Sequence, residues 1–377
     1  MTGLQRRLFV ISCFVANLAV VVLLFVTPTG EATSATRLAL TTTPGDPAST
    51  TSTTSTVSAQ PTDLAIVAST TAPEQARWTL TFGGDTLLTR PLTERNRTPF
   101  ARIQPTIDTS DLTIVNLETA LTTRGTRQVK TYTFRSPPGF ANVLQQAGVD
   151  VVSLANNHTL DFGTVGLYDT LDALDRAGVA RVGAGHTIVE ALEPVIVDQG
   201  DTSIAILGAS QIIPTPSWVA QPTRPGIASA GKHVLDSNTE RVLRAVRQSR
   251  TRADVVIVVM HWGIEGDPCP SSVQRKLADA LHDAGAAIVL GSHPHVLQPI
   301  EFKDSNLTAF SLGNFIWDPR SGATADTGIL QIDFVGSAAV GYTFHPHRLD
   351  GNGWATRIDP VSGDGQRVTA RTTRRCR

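Results

Sequence analysis

Apolar and polar positions along this 377-residue chain fall into a repeating order that predicts an α/β domain. Short apolar runs at Trp78–Phe82, Leu112–Asn116, Val151–Leu154, Ile204–Gly208, Val255–Met260 and Ala286–Leu290 read as buried strands. Amphipathic segments at Phe140–Ala147, Gly166–Ala177, Asn238–Ser249 and Ser271–Ala284 lie between several of them and read as helices. Strands alternating with helices predict a mostly parallel sheet flanked by helices. Beyond Leu307 the helical pattern stops. Leu307–Ser311, Thr327–Phe334 and Val340–Phe344 then predict antiparallel strands that close the domain near the C-terminus.

The two ends read differently. Arg6-Arg7 precedes Leu8–Val26, nineteen residues without a charge, long enough to span a bilayer. Positive charges before the span place the rest of the chain outside the cell. The segment is read as an uncleaved single-span anchor, an N-terminal transmembrane helix; a cleaved signal, giving a secreted protein, is the alternative. From Pro28 to about Glu74 the chain is rich in Thr, Ser, Ala and Pro and lacks the bulky apolar residues of a core. The expected division is a cytoplasmic stub and anchor over 1–27, a linker over 28–77, a folded domain over 78–360 and a basic tail over 361–377. Its Arg-rich end, Arg371–Arg377, is expected to fray. A net charge of -1 and a pI near 6.8 exclude a nucleic-acid-binding class. Three cysteines, one of them Cys13 in the apolar segment, imply no disulfide framework, and a Cys269–Cys376 bridge stays open.

Candidate chemistry gathers where the strands end, which is where open α/β sheets place their ligands. The first strand runs into Gly83-Gly84-Asp85, the second into Asn116-Leu117-Glu118, and the third into Asn156-Asn157-His158 with Asp161 beyond. Val255–Met260 ends in His261-Trp262-Gly263, followed by Glu265, and Ala286–Leu290 ends in Gly291-Ser292-His293-Pro294-His295. Imidazoles at i and i+2 on extended backbone point to one side, and neutral imidazole is the commonest metal ligand. A mixed set of carboxylate, amide and imidazole ligands suits Mn, Zn or Fe.

The ordered set resembles the bacterial capsule-synthesis CapA family, whose fold belongs with the calcineurin-like metallophosphoesterases. The resemblance is carried by Gly84-Asp85, Asn116-Leu-Glu118, Phe134-Arg-Ser-Pro-Pro138, Ser153-Leu-Ala-Asn-Asn-His158 with Asp161 and Gly163, His261-Trp-Gly with Glu265, Gly291-Ser-His-Pro-His-Val-Leu-Gln298, and Ser311-Leu-Gly-Asn-Phe315. It implies a metallophosphoesterase-like layered domain with one or two divalent metal ions. It also implies a link to making, attaching or exporting poly-γ-glutamate at the cell surface. By motif order, Asp85 is an expected ligand and Glu118 a bridging carboxylate, with Asn157 ligating through its amide oxygen. His261, His293 and His295 complete the expected metal set. His158 takes the place of a general acid or transition-state donor, and Asp161 that of a residue fixing a histidine tautomer. Asn116 and Asn156 are expected either to contact substrate or to orient loops. Phosphoesterases of this fold carry Asp-x-His at the first motif, but here Asp85 is followed by Thr86 and Leu87. Glu265 is then a replacement ligand or a catalytic group.

Several weaker signals remain. Arg135 reads as a bidentate clamp for a carboxylate or phosphate, or as a structural ion pair. Asn314 lies near the metal cluster or makes a turn, and Trp262 and Phe315 are packing residues. Gly226–His233 departs from a nucleotide-binding loop at its last position, which excludes that role. His345-Pro-His347 reads as a surface loop. Three function classes remain: a metal-dependent hydrolase or transferase acting on a phosphoester or glutamyl amide, a non-catalytic subunit of capsule assembly, and a metallophosphatase unrelated to capsule. The expected partners are an anionic polymer such as poly-γ-glutamate, other capsule-synthesis membrane subunits, and the membrane itself.

Overall fold

The computed structural model describes residues 75–87, 99–233 and 235–376. The expected anchor and nearly all of the expected linker lie outside these residues. Among the described residues, no helix is long and apolar enough to cross a membrane.

The strands that build the sheets begin with β1 (Arg77–Thr86), β2 (Leu112–Leu117), β3 (Val151–Ser153) and β4 (Ala180–Val182). Next come β5 (Val195–Gln199), β6 (Thr202–Ser210), β7 (Val255–His261), β8 (Ile288–Ser292), β9 (Ile300–Lys303) and β10 (Asn306–Ala309). The last are β11 (Asn314–Ile316), β12 (Asp326–Val335), β13 (Ala338–Leu349) and β14 (Ala355–Arg357). Five helices matter to the layers: α1 (Phe140–Gln146), α2 (Gly163–Ala177), α3 (Ser237–Ser249), α4 (Ser272–Asp283) and α5 (Gly363–Thr372).

Two large sheets form among the described residues, where the sequence pattern predicts one. The first has eight strands in the order β14-β13-β12-β1-β2-β3-β4, with β11 also beside β1. The second has six, in the order β9-β10-β8-β7-β6-β5. Side chains alternate across each strand and so serve two cores. Leu80 and Phe82 of β1, Leu112 and Ile114 of β2, Ile257 and Val259 of β7, and Ile288 and Leu290 of β8 share one core between the sheets. On the outer face of the first sheet, Val115 and Leu117 pack against Phe140 of α1 and Leu167, Leu171 and Leu174 of α2. On the outer face of the second, Val256, Val258 and Val289 meet Val242 and Val246 of α3 and Leu277 and Leu281 of α4. The described domain is therefore a four-layered α/β/β/α sandwich. Continuous apolar runs such as Val255–Met260 show that both faces are buried, but not whether a helix or a sheet covers each face.

Parallel pairing holds at the centre of each sheet, from β1 to β4 and from β6 through β7 and β8 to β10. The Leu307–Ser311 segment thus lies parallel to β8 on one side and, as expected, antiparallel to β9 on the other, and β12, β13 and β14 also run antiparallel. Two further expectations are corrected. The basic end is not frayed: α5 buries Val368 in the intersheet core, Arg371 Nε binds Asp326 Oδ2 at 2.8 Å, and Cys376 is disulfide-bonded to Cys269. His345-Pro-His347 is not a surface loop but part of β13, with His347 fully buried. Gly226-Ile227 pairs with Ala184-Gly185, and α3 is capped by Asp236, whose carboxylate would repel a phosphate there.

Candidate functional site

The parallel strands of both sheets bring their C-terminal ends to one edge. In the first sheet Asp85 is in register with Asn116 of β2 and Asn314 of β11, and Asn116 with Ser153 of β3. In the second, His261 is in register with Ser292 of β8. The register of β1 shifts between Phe82 and Asp85, at Gly83-Gly84. A Cβ on Gly84 would stand 2.0 Å from the Gly313 carbonyl oxygen, so only glycine lets the Ser311–Asn314 loop approach.

Six of the expected ligands meet here. Asn116 Nδ2 donates to Asp85 Oδ1 at 2.8 Å and to Glu118 Oε2 at 3.3 Å. His295 Nδ1 lies 3.1 Å from Asp85 Oδ2, and its Nε2 3.9 Å from Glu118 Oε1. His261 Nε2 lies 2.8 Å from Asn157 Oδ1 and 3.5 Å from Glu118 Oε1, while its Nδ1 faces Ser292 Oγ at 3.1 Å. The His261 and His293 rings are 4.7 Å apart between centroids. Three overlapping sets of donors could each hold an ion: Glu118, His261 and His293; Asp85, Glu118 and His295; and Glu265, His293 and His295. Atoms that share an ion at about 2.1 Å lie roughly 3–4 Å apart, and within each of these sets the donor atoms lie within 4.8 Å of one another.

Electrostatics match that use. Burial works against charge on Asp85, but His295 and Asn116 outweigh it and hold the carboxyl below its usual range. Burial, reinforced by Asp85, pushes Glu118 well above the usual range. Burial and the neighbouring histidines push His261 well down and His293 down to about 3, so both imidazoles are neutral at physiological pH. Neutral imidazole is the form that ligates. Glu118 Oε1, His293 Nδ1 and Asn314 Oδ1 are buried without a hydrogen-bond partner. Buried polar atoms are normally paired, and a cation bound among them would satisfy these.

His293 and His295 converge by a route other than the expected one. They stand at φ 97 and φ 56, a left-handed turn beyond β8 where extended backbone was predicted. The His293 backbone N–H donates to Asp85 Oδ2 at 3.2 Å, which ties the turn to the first sheet.

His158 lies beside the cluster in a cleft of about 390 Å³, with Phe134, Glu265, His295, Asn314 and Trp317 among the other walls. Its Nδ1 is 2.6 Å from Asp161 Oδ2, and burial lowers its pKa despite Asp161. Asn156 is turned inward: its amide nitrogen donates to Asn116 Oδ1 and the Leu117 carbonyl, and its oxygen accepts from the His158 N–H. Asn116 is likewise fully buried, with its side chain bonded to Asp85, Glu118 and Asn156. Arg135 stands apart, exposed over the Phe162 ring at 4.8 Å in a neighbouring cleft. Leu87, where the histidine is missing, packs with Trp317, Ala325 and Leu349. Trp262 and Phe315 are buried packing residues.

Two contributors carry no pattern of their own in the sequence. Lys130 binds Asp161 Oδ1 at 2.8 Å and the Asn157 carbonyl, and the Trp317 ring is tilted against that of His295 with centroids 4.8 Å apart. Only the run of cations without acids around Lys130 could have drawn attention to it.

A family model described as "Bacterial capsule synthesis protein PGA_cap" matches residues 79–319, a span that contains every residue of the cluster. The chain belongs to the PGA_cap family. It is 32% identical over 235 residues to the PGA biosynthesis protein CapA of Bacillus subtilis, covering 62% of this chain and 60% of that protein. It is 31% identical over 267 residues to the capsule biosynthesis protein CapA of Bacillus anthracis, covering 68% and 64%. A probable polyglutamine synthesis accessory protein of Mycobacterium tuberculosis is 33% identical over 218 residues, covering 55% and 56%. The chain thus spans about three fifths of the length of the curated relatives it matches.

Proposed function

We propose that this PGA_cap protein acts outside the cytoplasm, anchored to the membrane, in making, attaching or exporting a poly-γ-glutamate capsule. Its strand-end cluster holds one or two divalent ions, Mn, Zn or Fe, and cleaves or transfers a phosphoester or glutamyl amide. The observation that carries the reading is the convergence of Asp85, Glu118, Asn157, His261, His293 and His295 with buried, unpartnered donor atoms among them. The printed names of the relatives support the capsule role. The Cys269–Cys376 disulfide supports an oxidising compartment, and the uncharged Leu8–Val26 supports the anchor.

A divalent ion in this cluster supplies Lewis-acid stabilisation of the developing charge and activates a water. The protein groups do the rest. Asp161 and Lys130 fix the His158 ring through Nδ1, so Nε2 is the atom that moves a proton between the attacking water and the leaving group. Glu265, with His293 and His295, would help hold the ion in place of the missing histidine. Phe134 and Trp317 keep bulk water off that side of the cleft.

Metal analysis of the purified protein tests this directly. One or two equivalents of Mn, Zn or Fe are expected, with near-complete loss in His261→Ala and His293→Ala. Metal-free protein that still supports capsule formation would sink the enzymatic reading. It would favour a non-catalytic subunit that binds the polymer or other capsule-synthesis membrane subunits, an alternative to which the apolar packing of Leu87 already lends weight.

A further inference from the structure

The segment from Thr119 to Pro138 carries four cations, Arg124, Arg127, Lys130 and Arg135, and no acidic residue. Two of them are neutralised: Arg124 pairs with Asp169, and Lys130 with buried Asp161. The other two are not. Arg127 Nε donates to Thr133 Oγ1 at 2.6 Å, and Arg135 covers the Phe162 ring. Neither has a carboxylate partner among the described residues. Both line one open cleft of about 620 Å³, together with Gly125, Thr133, Phe134 and Phe162, and no acidic side chain lines it. Phe134 is also a wall of the metal-cluster cleft, where its ring lies 4.3 Å from that of His158. One side chain therefore separates an unneutralised arginine pair from the candidate reaction site.

We infer that Arg127 and Arg135 form a second anionic subsite, which grips carboxylates of an acidic polymer beyond the bond held over the metal cluster. The inference rests on the reading that this cluster takes an acidic polymer. A guanidinium presents a planar fork that matches a carboxylate, and unlike Lys130 these two lose no internal ion pair when a ligand arrives. A polymer with one carboxylate per repeat supplies the next charges wherever its chain leaves the cluster past Phe134. The subsite makes binding depend on polymer length. Short ligands end at Phe134, and longer ones reach the arginines.

The test is calorimetry on the full-length, metal-loaded protein with poly-γ-glutamate oligomers of increasing length. Wild type is compared with Arg127→Gln/Arg135→Gln and with the double lysine variant. In wild type, affinity should rise with length and then level off. In the glutamine variant, the long oligomers should bind about ten-fold or more weakly, since charge-assisted hydrogen bonds contribute about 1.5–3 kcal/mol and 1.4 kcal/mol is ten-fold. The shortest oligomer that wild type binds should be unaffected, and metal content unchanged. Lysine should restore part of the loss. The same length dependence in wild type and the glutamine variant would overturn the subsite and leave the proposed function standing. If wild type binds no oligomer of any length, both fall.

Discussion

Asp85 reaches Asn116, His295 and the His293 amide because the residue before it has no side chain. Gly84→Ala would force a methyl to within 2.0 Å of the Gly313 carbonyl oxygen, which is backbone and cannot rotate aside. The variant should lose about 1–3 kcal/mol of stability in urea denaturation, and bind metal more weakly because Asp85 and Asn314 are pushed apart. Full stability with full metal content would show that the loop yields freely. At this scale the sequence was informative about identity and less so about geometry. The strand-end positions of Asp85, His261 and His293 were readable from the apolar runs before them. The convergence of His293 and His295 was predicted for the wrong reason, since a left-handed turn aims them and nothing in Gly-Ser-His-Pro-His reveals its φ angles. By residue type Asn116 and Asn156 could contact substrate or orient loops; their hydrogen bonds go to protein groups, which only the folded neighbourhood decides.

Among the elements, β13 illustrates how a polar motif can hide in a strand. His347 Nδ1 lies 2.8 Å from the His345 carbonyl, the geometry of a donated N–H, and its Nε2 is buried with no partner. Burial therefore holds its pKa down to about 4, below the ordinary histidine value. The sign of the stability effect follows. The unfolded chain takes up a proton near pH 6.5, whereas the folded chain resists it until about pH 4. The contribution of His347 is thus fully present above pH 6.5, declines as pH falls, and is gone below pH 4. It amounts to about 3 kcal/mol at most, at 1.36 kcal/mol per pKa unit. Denaturation at several pH values, comparing wild type with His347→Asn, isolates this term from the buried histidines of the cluster. Wild type should lose more stability than the variant between pH 6.5 and 4, and parallel curves would refute the assignment. The first half of this strand, Val340–Phe344, was legible in the sequence; His345-Pro-His347 was not, because a proline between two polar residues reads as a loop although it continues the strand. The edge strands β5, β9 and β14 were missed for a different reason: they are short and half exposed.

For the molecule as a whole, the order of strands and helices was legible, but their division into two sheets was not. Strand runs state how many faces are buried, and long-range pairing decides what buries them. The same limit applied to the C-terminus. Gly363–Thr372 is polar on most faces, and only Val368 reaches the intersheet core, so its docking depends on tertiary partners. One of those partners is covalent. Cys269 lies just past Glu265, on a loop fastened by the Gly266 N–H to the Pro294 carbonyl and by Gln298 Nε2 to the Asp267 and Cys269 carbonyls. The bridge to Cys376 closes a span of 107 residues. Closing so long a loop restricts the unfolded chain strongly, and native bridges typically contribute about 2–5 kcal/mol. Cys269→Ser/Cys376→Ser should therefore lower the melting temperature by roughly 5–10 °C. Reductant should lower it equally in wild type and leave the variant unchanged. Metal binding should survive in the variant, because the Glu265 loop keeps its own hydrogen bonds to Pro294 and Gln298. Loss of metal together with the bridge would instead show that the C-terminal helix, acting through Cys376, sets the position of Glu265.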